Sequence, residues 1–257
     1  MTRIGSIDTA ELRLFYQPQV TADGARIVGM EALIRRQHPH RGMMAPNQFL
    51  PALIESELEE LDWWVLAQAA KDLERWPDKL VSINIAATQL QRDNFADRIL
   101  DAIRAAGREM TSFELEIVES SVVADFDKAT KNVVRLREAG VRVALDDFGT
   151  GYSSLTYLLE FPLDKVKIDR SFIQKSYTLK AAAIIQAVAA LARATGLKIT
   201  AEGVETEAQQ RFLRTVGCHY LQGYLFAKPM DADDLLRLIA RWETRERPGP
   251  AAPSAAG

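Results

Sequence analysis

The sequence predicts an α/β fold, a TIM-like (β/α)8 barrel modified by an antiparallel first strand. Short strand-like runs alternate with longer helical runs along the body of the 257-residue chain. About eight strand runs appear, and every connection but the first has the length of a helical crossover. No Pro/Gly/Ser-rich linker divides the interior. An open doubly wound sheet is the alternative, because composition does not encode strand order.

The elements follow in order. "LRLFYQPQV" and "IVGMEALI" flank "TADGAR", whose Asp23-Gly24 is a turn signal, so the first two strands read as a hairpin. A helix is expected from Asn47 and a second over about Leu58–Trp76. Then come the strand "LVSINI", a helix near Leu90–Ala106 and the strand "SFELEIV". The next helix, near Asp125–Ala139, is stopped by Gly140. "VRVALDDF" is followed by a loop with a short helix, then by "LDKVKID" and a helix over about Leu179–Ala194 that ends at Gly196. "LKITAEGVE", a helix near Glu207–Val216 with Gly217 behind it, "YLQGYLF" and a last helix over Asp231–Glu243 complete the body. The expected domain plan is a lead-in over 1–11, a barrel over 12–244, and a tail over 245–257. The tail, "RERPGPAAPSAAG", has little to bury and reads as disordered or as the start of a linker.

Composition narrows the function. The chain is 47% hydrophobic and 26% charged, as in an ordinary soluble protein. Its 32 basic and 35 acidic residues, a formal charge of -3, argue against binding to polymeric nucleic acid but leave room for a small phosphate ligand at a local cation. The single cysteine, Cys218, has no internal disulfide partner. The opening "MTRIGSIDTAELRLF" lacks the apolar stretch of an exported chain, and no segment approaches a membrane span, so a cytoplasmic location is expected.

The chemistry lies in polar residues at strand ends. Glu31 interrupts "VGMEALI", Asn84 interrupts "VSINI", and Glu116 sits in "ELEIV" with Glu119 just after it. Asp146 and Asp147 end the fifth candidate strand, Lys167 lies in "VKID", Glu202 follows "KIT", and Gln222 lies in "YLQG". A packed strand carries Val or Ile at such places. In a barrel the C-terminal strand ends converge on one mouth, where catalytic groups gather. Carboxylates with an amide oxygen and no neighbouring histidine suit Mg2+ or Mn2+. His38, His40 and His219 have no zinc spacing. Adjacent aspartates fit a paired-metal site in which one carboxylate bridges, and Lys167 is the cation for a phosphate oxygen or for orienting water. "DDFGTGYSS" matches neither a P-loop nor a dinucleotide fingerprint.

These motifs together resemble the EAL-domain family of cyclic di-GMP phosphodiesterases. The resemblance covers roughly Leu12 to Leu236 and runs in family order through "YQP", "EALIR", "SINIA", "ELEIVES", "DDFGTGYSSL", "KIDRSFI", "AEGVET" and "QGYLFAKP". It implies that Glu31, Asn84, Glu116 and Asp146 hold one divalent ion and that Asp146 bridges to a second, served also by Asp147. It implies two Mg2+ or Mn2+ ions per site, with Ca2+ inhibitory. Lys167 and Glu202 resemble the residues beside the attacking water, and Gln222 resembles a further site residue that contacts the water or phosphate region. Arg35, with Gln17 nearby, would grip a substrate phosphate. Glu119 resembles the anchor of the loop over Asp147–Leu155, which in the family links the second ion to a homodimer interface. The implied setting is the cytoplasm, alone or as a domain of a larger signalling protein.

The chain departs from the family pattern at Arg36, where Trp is common, at Ile54 and Glu57 within "FLPALIESE", at Val118 for Thr, and at His219 for Asp. None of these removes an expected metal ligand. The expected activity is hydrolysis of one phosphodiester bond of cyclic di-GMP to linear pGpG by activated water. The alternative is a weak or inactive cyclic di-GMP receptor. A scaffold without ligand or metal leaves the strand-end carboxylates unexplained, and a barrel lyase or aldolase lacks a Schiff-base lysine apart from Lys167.

Overall fold

The structure, a computed structural model, describes residues 2–118, 125–149 and 158–244. Glu119, the residues 150–155 of the expected interface loop and the tail over 245–257 lie outside them.

Two short strands, β1 (Arg3–Ile4) and β2 (Ile7–Asp8), pair antiparallel ahead of the barrel. The expected hairpin follows as β3 (Leu12–Thr21) and β4 (Ile27–His38), in register from Leu12↔Arg36 to Gln19↔Gly29, with a one-residue shift before Val20↔Ile27. Asp23 shapes its turn by accepting from the Thr21 hydroxyl at 2.5 Å and the Ala25 N–H at 3.0 Å. β5 (Gly42–Met44) adds an outer strand to β4. The helix expected from Asn47 is instead two 3-10 turns, Pro46–Gln48 and Leu50–Ala52, because Pro46 and Pro51 break the i→i−4 ladder. α1 (Glu55–Asp72) begins before Leu58, its first turn closed by Glu57 accepting from the Ile54 N–H at 3.0 Å.

Strand and helix then alternate as β6 (Leu80–Ala86), α2 (Phe95–Ala105), β7 (Phe113–Val118), α3 (Phe126–Glu138), β8 (Arg142–Phe148) and β9 (Lys165–Ile168). The chain continues through α4 (Arg170–Gln174), α5 (Leu179–Thr195), β10 (Lys198–Ala201), α6 (Glu207–Val216), β11 (Tyr220–Leu221) and α7 (Ala232–Glu243). The helix expected from Leu90 starts at Phe95, after a 3-10 turn over Ala87–Gln91 and a left-handed Asn94. The short helix α4, capped by Asp169, was not expected. Only Tyr220 and Leu221 of "YLQGYLF" form strand.

The sheet order β3-β11-β10-β9-β8-β7-β6-β4, with β3 also pairing β4, closes an eight-stranded barrel. Neighbours from β4 round to β11 are parallel, and β3 is antiparallel to both of its neighbours. Strand alternation sorts the side chains. Ile83 and Ile85, Leu115 and Ile117, Val143 and Leu145, and Val166 and Ile168 pack outward under the helices in one continuous core. Each such buried aliphatic side chain contributes roughly 1.5–3 kcal/mol. The residues between them point into the barrel, and many are polar. A smaller cluster of Ile4, Ile7, Leu12, Met44, Phe49 and Leu61 seals the lead-in onto β5 and α1. Among the described residues, no helix is long and apolar enough to cross a membrane.

Candidate active site

The strand-end residues meet inside the C-terminal mouth of the barrel. Register places Gln17 of β3 beside Glu31 of β4, and Asn84 of β6 beside Glu116 of β7. Lys167 of β9 rises at the centre. Its Nζ lies 2.6 Å from Glu116 Oε2, 2.6 Å from Glu202 Oε1, 3.1 Å from Asp146 Oδ1 and 3.6 Å from Glu31 Oε2. Asn84 Nδ2 donates to Glu31 Oε1 at 2.8 Å, and Gln222 Nε2 donates to Glu31 Oε2 at 2.6 Å and to Gln17 Oε1 at 3.2 Å. Gln17 in turn donates to the Ala227 carbonyl at 3.0 Å.

Adjacent strand residues normally face opposite sides, so Asp146 and Asp147 need a local device to reach one site. The β8–β9 register shifts between Leu145 and Phe148, and Asp147 takes a left-handed φ of 54°. The Asp147 N–H donates to Asp146 Oδ1 at 2.9 Å, which holds the turned backbone. Non-glycine residues adopt this conformation at some energetic expense, a pattern concentrated at functional sites. Both aspartates thereby reach Glu202. Ligand oxygens of Glu31, Glu116 and Asp146 lie within 4.8 Å of one another, as do those of Asp146, Asp147 and Glu202.

The electrostatics follow from four carboxylates facing one ammonium. Burial disfavours the Lys167 charge, but Asp146, Glu116, Glu202 and Glu31 outweigh it and raise its proton affinity well above normal. Burial pushes Glu116 up to about 8 and, with Asp146 and Asp169, Asp147 up to about 6. Burial likewise raises Glu202 and Asp146. Glu31 goes the other way: burial is overcome by Lys167, Gln222 and Asn84, and its carboxyl falls below the usual range. Crowded carboxylates of this kind gain from further positive charge. The donors are hard oxygens on one rigid rim, and Asn84, with its N–H2 on Glu31, has its amide oxygen to offer a cation. The set fits Mg2+, Mn2+ or Ca2+ and not structural zinc.

A cleft of about 180 Å³ opens over these carboxylates, walled by Gln17, Leu33, Arg170, Gln174, Glu205 and Tyr224 among others. A larger hollow, about 510 Å³ between Ala25–Val28, Asp78, Arg142 and Trp242, lies at the opposite end of the barrel, away from the carboxylate cluster. Arg35 lies beyond the cluster on β4, on the same face as Glu31 and Leu33. Its guanidinium sits 5.9 Å over the Phe15 ring and donates to the Ile34 carbonyl at 2.8 Å. Burial lowers its proton affinity, opposed by Glu31 and Tyr224. Of the departures, Arg36 pairs with Glu11 at 2.7 Å, Ile54 is exposed, and His219 Nδ1 accepts from the Ile199 N–H at 3.2 Å.

An eight-stranded barrel with one antiparallel strand, and a mouth of carboxylates gathered round a buried lysine, defines the class, and the comparisons give the family. The sequence pattern of the EAL domain matches residues 5–229, and the chain belongs to that family. It is 39% identical over 242 residues to MucR of Pseudomonas aeruginosa, a bifunctional diguanylate cyclase/cyclic di-GMP phosphodiesterase, covering 91% of this chain and 35% of MucR. It is 40% identical over 228 residues to the cyclic di-GMP phosphodiesterase NbdA of the same organism, covering 86% of this chain and 29% of NbdA. The chain thus spans about a third of the length of these curated relatives. The structure of the PaMucR phosphodiesterase with c-di-GMP matches with a TM-score of 0.82 at 40% identity, over 88% of this chain and 94% of that one. The manganese/cy-diGMP complex of Klebsiella pneumoniae BlrP1 matches with a TM-score of 0.75 at 29% identity, over 86% and 56%. A calcium/cy-diGMP complex of BlrP1 matches with a TM-score of 0.75 at 28% identity, over 90% and 57%.

Reading for strand ends missed a second buried polar layer, formed by Gln19, Ser82, Glu114 and Lys165. Ser82, Glu114 and Lys165 each precede a site residue by two positions, and Gln19 follows Gln17 by two because β3 runs the opposite way, a spacing legible in "SIN", "ELE", "KVK" and "QPQ". It also missed the cleft walls Arg170, Gln174, Glu205 and Tyr224.

Proposed function

We propose that this chain is a divalent-metal-dependent phosphodiesterase that hydrolyses cyclic di-GMP to linear pGpG. One observation carries the reading: two sets of three carboxylates share Asp146, each with oxygens within 4.8 Å, around the buried Lys167. Glu31, Asn84, Glu116 and Asp146 would hold one Mg2+ or Mn2+, and Asp146 with Asp147 a second. Bound there, the ions supply Lewis-acid stabilisation of the attacking and leaving oxygens of an in-line displacement. Lys167 positions the water through its ammonium donors, and Glu202, in contact with Lys167 at 2.6 Å, takes the proton that the water gives up. Gln17 and Gln222 orient the substrate from the mouth, and Arg35 swings from its resting contact to a phosphate oxygen by a charge-assisted bond. Glu119 serves as anchor of the loop beyond Asp147.

The relatives and neighbours that carry cyclic di-GMP support this substrate. The remaining proposals are pairing of two copies through the region around Asp147–Leu155, and a cytoplasmic setting within the domain plan 1–11, 12–244 and 245–257. Light scattering on a size-exclusion column tests the pairing, a single-copy mass overturning it. The enzymatic reading is tested by incubating the protein with cyclic di-GMP and Mg2+ or Mn2+ and separating products by chromatography. Accumulation of pGpG is expected. Binding without product would make the chain a receptor.

A further inference from the structure

The layer beneath the mouth is built like the mouth itself. Gln19 on β3, Ser82 on β6, Glu114 on β7 and Lys165 on β9 sit two residues below Gln17, Asn84, Glu116 and Lys167 on the same strands. All four are at most 3% exposed. Barrel interiors at this depth are normally filled by branched apolar side chains. Apolar packing of the same volume often stabilises a fold as much as a buried ion pair or more, so stability is a weak reason for this layer.

The contacts form a closed circuit. Lys165 Nζ donates to Glu114 Oε1 at 2.7 Å and to Gln19 Oε1 at 3.3 Å, and it lies 5.1 Å over the Tyr220 ring. The Ser82 hydroxyl donates to Glu114 Oε1 at 2.8 Å. Gln19 Nε2 donates to Ser82 Oγ and to Glu116 Oε1, each at 3.4 Å. An ammonium has donors only, so Lys165 requires the oxygen end of the Gln19 amide. The N–H2 end is thereby turned toward Glu116. The reverse orientation would set a carbonyl oxygen against a carboxylate and an amide donor against an ammonium. Glu116 is thus gripped from both sides, by Lys167 at 2.6 Å on Oε2 and by Gln19 on Oε1.

Resting on the metal-dependent reading, we infer that Gln19 is a positioning residue, its amide oriented by Lys165 so that it holds Glu116 toward the ion shared with Glu31 and Asp146. Groups that orient a metal ligand in this way typically change metal affinity or activity by roughly 10- to 100-fold when lost.

The test is calorimetric titration of Mn2+ into the metal-stripped protein without substrate, alongside thermal unfolding in EDTA. Gln19→Leu keeps bulk and removes both ends of the amide. It is expected to bind Mn2+ roughly 10- to 100-fold more weakly, with a metal-free melting temperature near that of the wild type. The Mn2+ concentration giving half-maximal turnover should rise in step, while KM for cyclic di-GMP at saturating metal stays within about threefold, because the amide reaches the ligand and not the substrate. Gln19→Met, unbranched and of similar length, repeats the measurement. The charge-neutral pair Glu114→Gln with Lys165→Met retains Gln19 but releases its orientation, so a smaller loss of affinity is expected there. Wild-type Mn2+ affinity in both Gln19 variants, or failure of both to fold, would overturn the positioning role. Wild-type affinity in the paired variant would overturn the part given to Lys165. The unaltered protein separates the two levels of inference. If it binds no Mn2+, the metal reading itself fails and this role with it; if it binds Mn2+ but releases no pGpG, the affinities still decide the role of Gln19.

Discussion

Lys167 is the residue on which the mouth turns, since four carboxylates lie within 3.6 Å of its ammonium. The roles proposed for the mouth residues divide between chemistry and substrate holding, and kinetics separate the two. Asp147→Asn removes charge with little change in size; kcat is expected to fall at least about 100-fold, with cyclic di-GMP still bound. Arg35→Ala is expected instead to weaken binding by about 1.5–3 kcal/mol, roughly 10- to 150-fold, with a smaller effect on kcat at saturation. Calorimetric binding in Ca2+ together with turnover in Mg2+ measures both, and normal turnover of Asp147→Asn with normal binding by Arg35→Ala would refute the assigned roles. Glu31, Asn84, Glu116 and Lys167 were legible because a polar residue inside an apolar run is conspicuous. The left-handed backbone at Asp147 was not, because nothing in "DDFG" states which aspartate turns. The contact from Gln19 to Glu116 joins strands that are not neighbours in the sheet, so it exists only once the barrel has closed.

At the scale of elements, end chemistry decided what the sequence revealed. Asp125, Thr206 and Asp231 each accept a backbone N–H at the start of a helix, and α3, α6 and α7 fall where those residues place them. The expectations failed where proline or a left-handed Asn94 cut a helical composition short. Two predictions belong here. Gly223 follows β11 and Gln222 so closely packed that an added Cβ would lie 2.1 Å from the Val204 carbonyl oxygen. Gly223→Ala is therefore expected to lower stability by about 1–3 kcal/mol and to displace Gln222 from Glu31. A denaturant melt checks the first effect, and an unchanged midpoint would show that the segment yields freely. The second prediction concerns Asp62 on α1, which accepts from Gln89 Nε2 at 3.1 Å in the turn after β6. Desolvation pushes its carboxyl up to about 7, aided by Glu59 and opposed by the Gln89 donor. The folded chain therefore binds this proton more tightly than the unfolded chain, whose aspartates titrate near about 4. Stability from this group is present at low pH and declines as pH rises from about 4 to about 7. Asp62→Asn should remove that decline, so melting temperatures of variant and wild type should diverge between pH 5 and pH 8, with the variant higher at pH 8. Parallel curves would refute it.

For the molecule as a whole, the barrel was legible from alternation and from the hairpin that closes it. The lead-in pair β1–β2 and the outer strand β5 were not, being too short to show a period. The barrel brings residues from β3 through β11 to one mouth, so ion binding should stabilise the entire fold. Mn2+ at about 100 times its dissociation constant is expected to add about 2.7 kcal/mol for one site, read as a rise in melting temperature that EDTA reverses. EDTA should also abolish turnover, Mg2+ or Mn2+ should restore it, and Ca2+, which is less demanding in geometry, should inhibit; full activity after exhaustive chelation would contradict the metal requirement. The most direct measurement is an anomalous difference map at the manganese absorption edge, from crystals grown with Mn2+. Two peaks about 3.5–4 Å apart are predicted, one bounded by Glu31, Asn84, Glu116 and Asp146 and the other beside Asp146 and Asp147. A map with no peak within ligand distance of Asp146 would contradict the account.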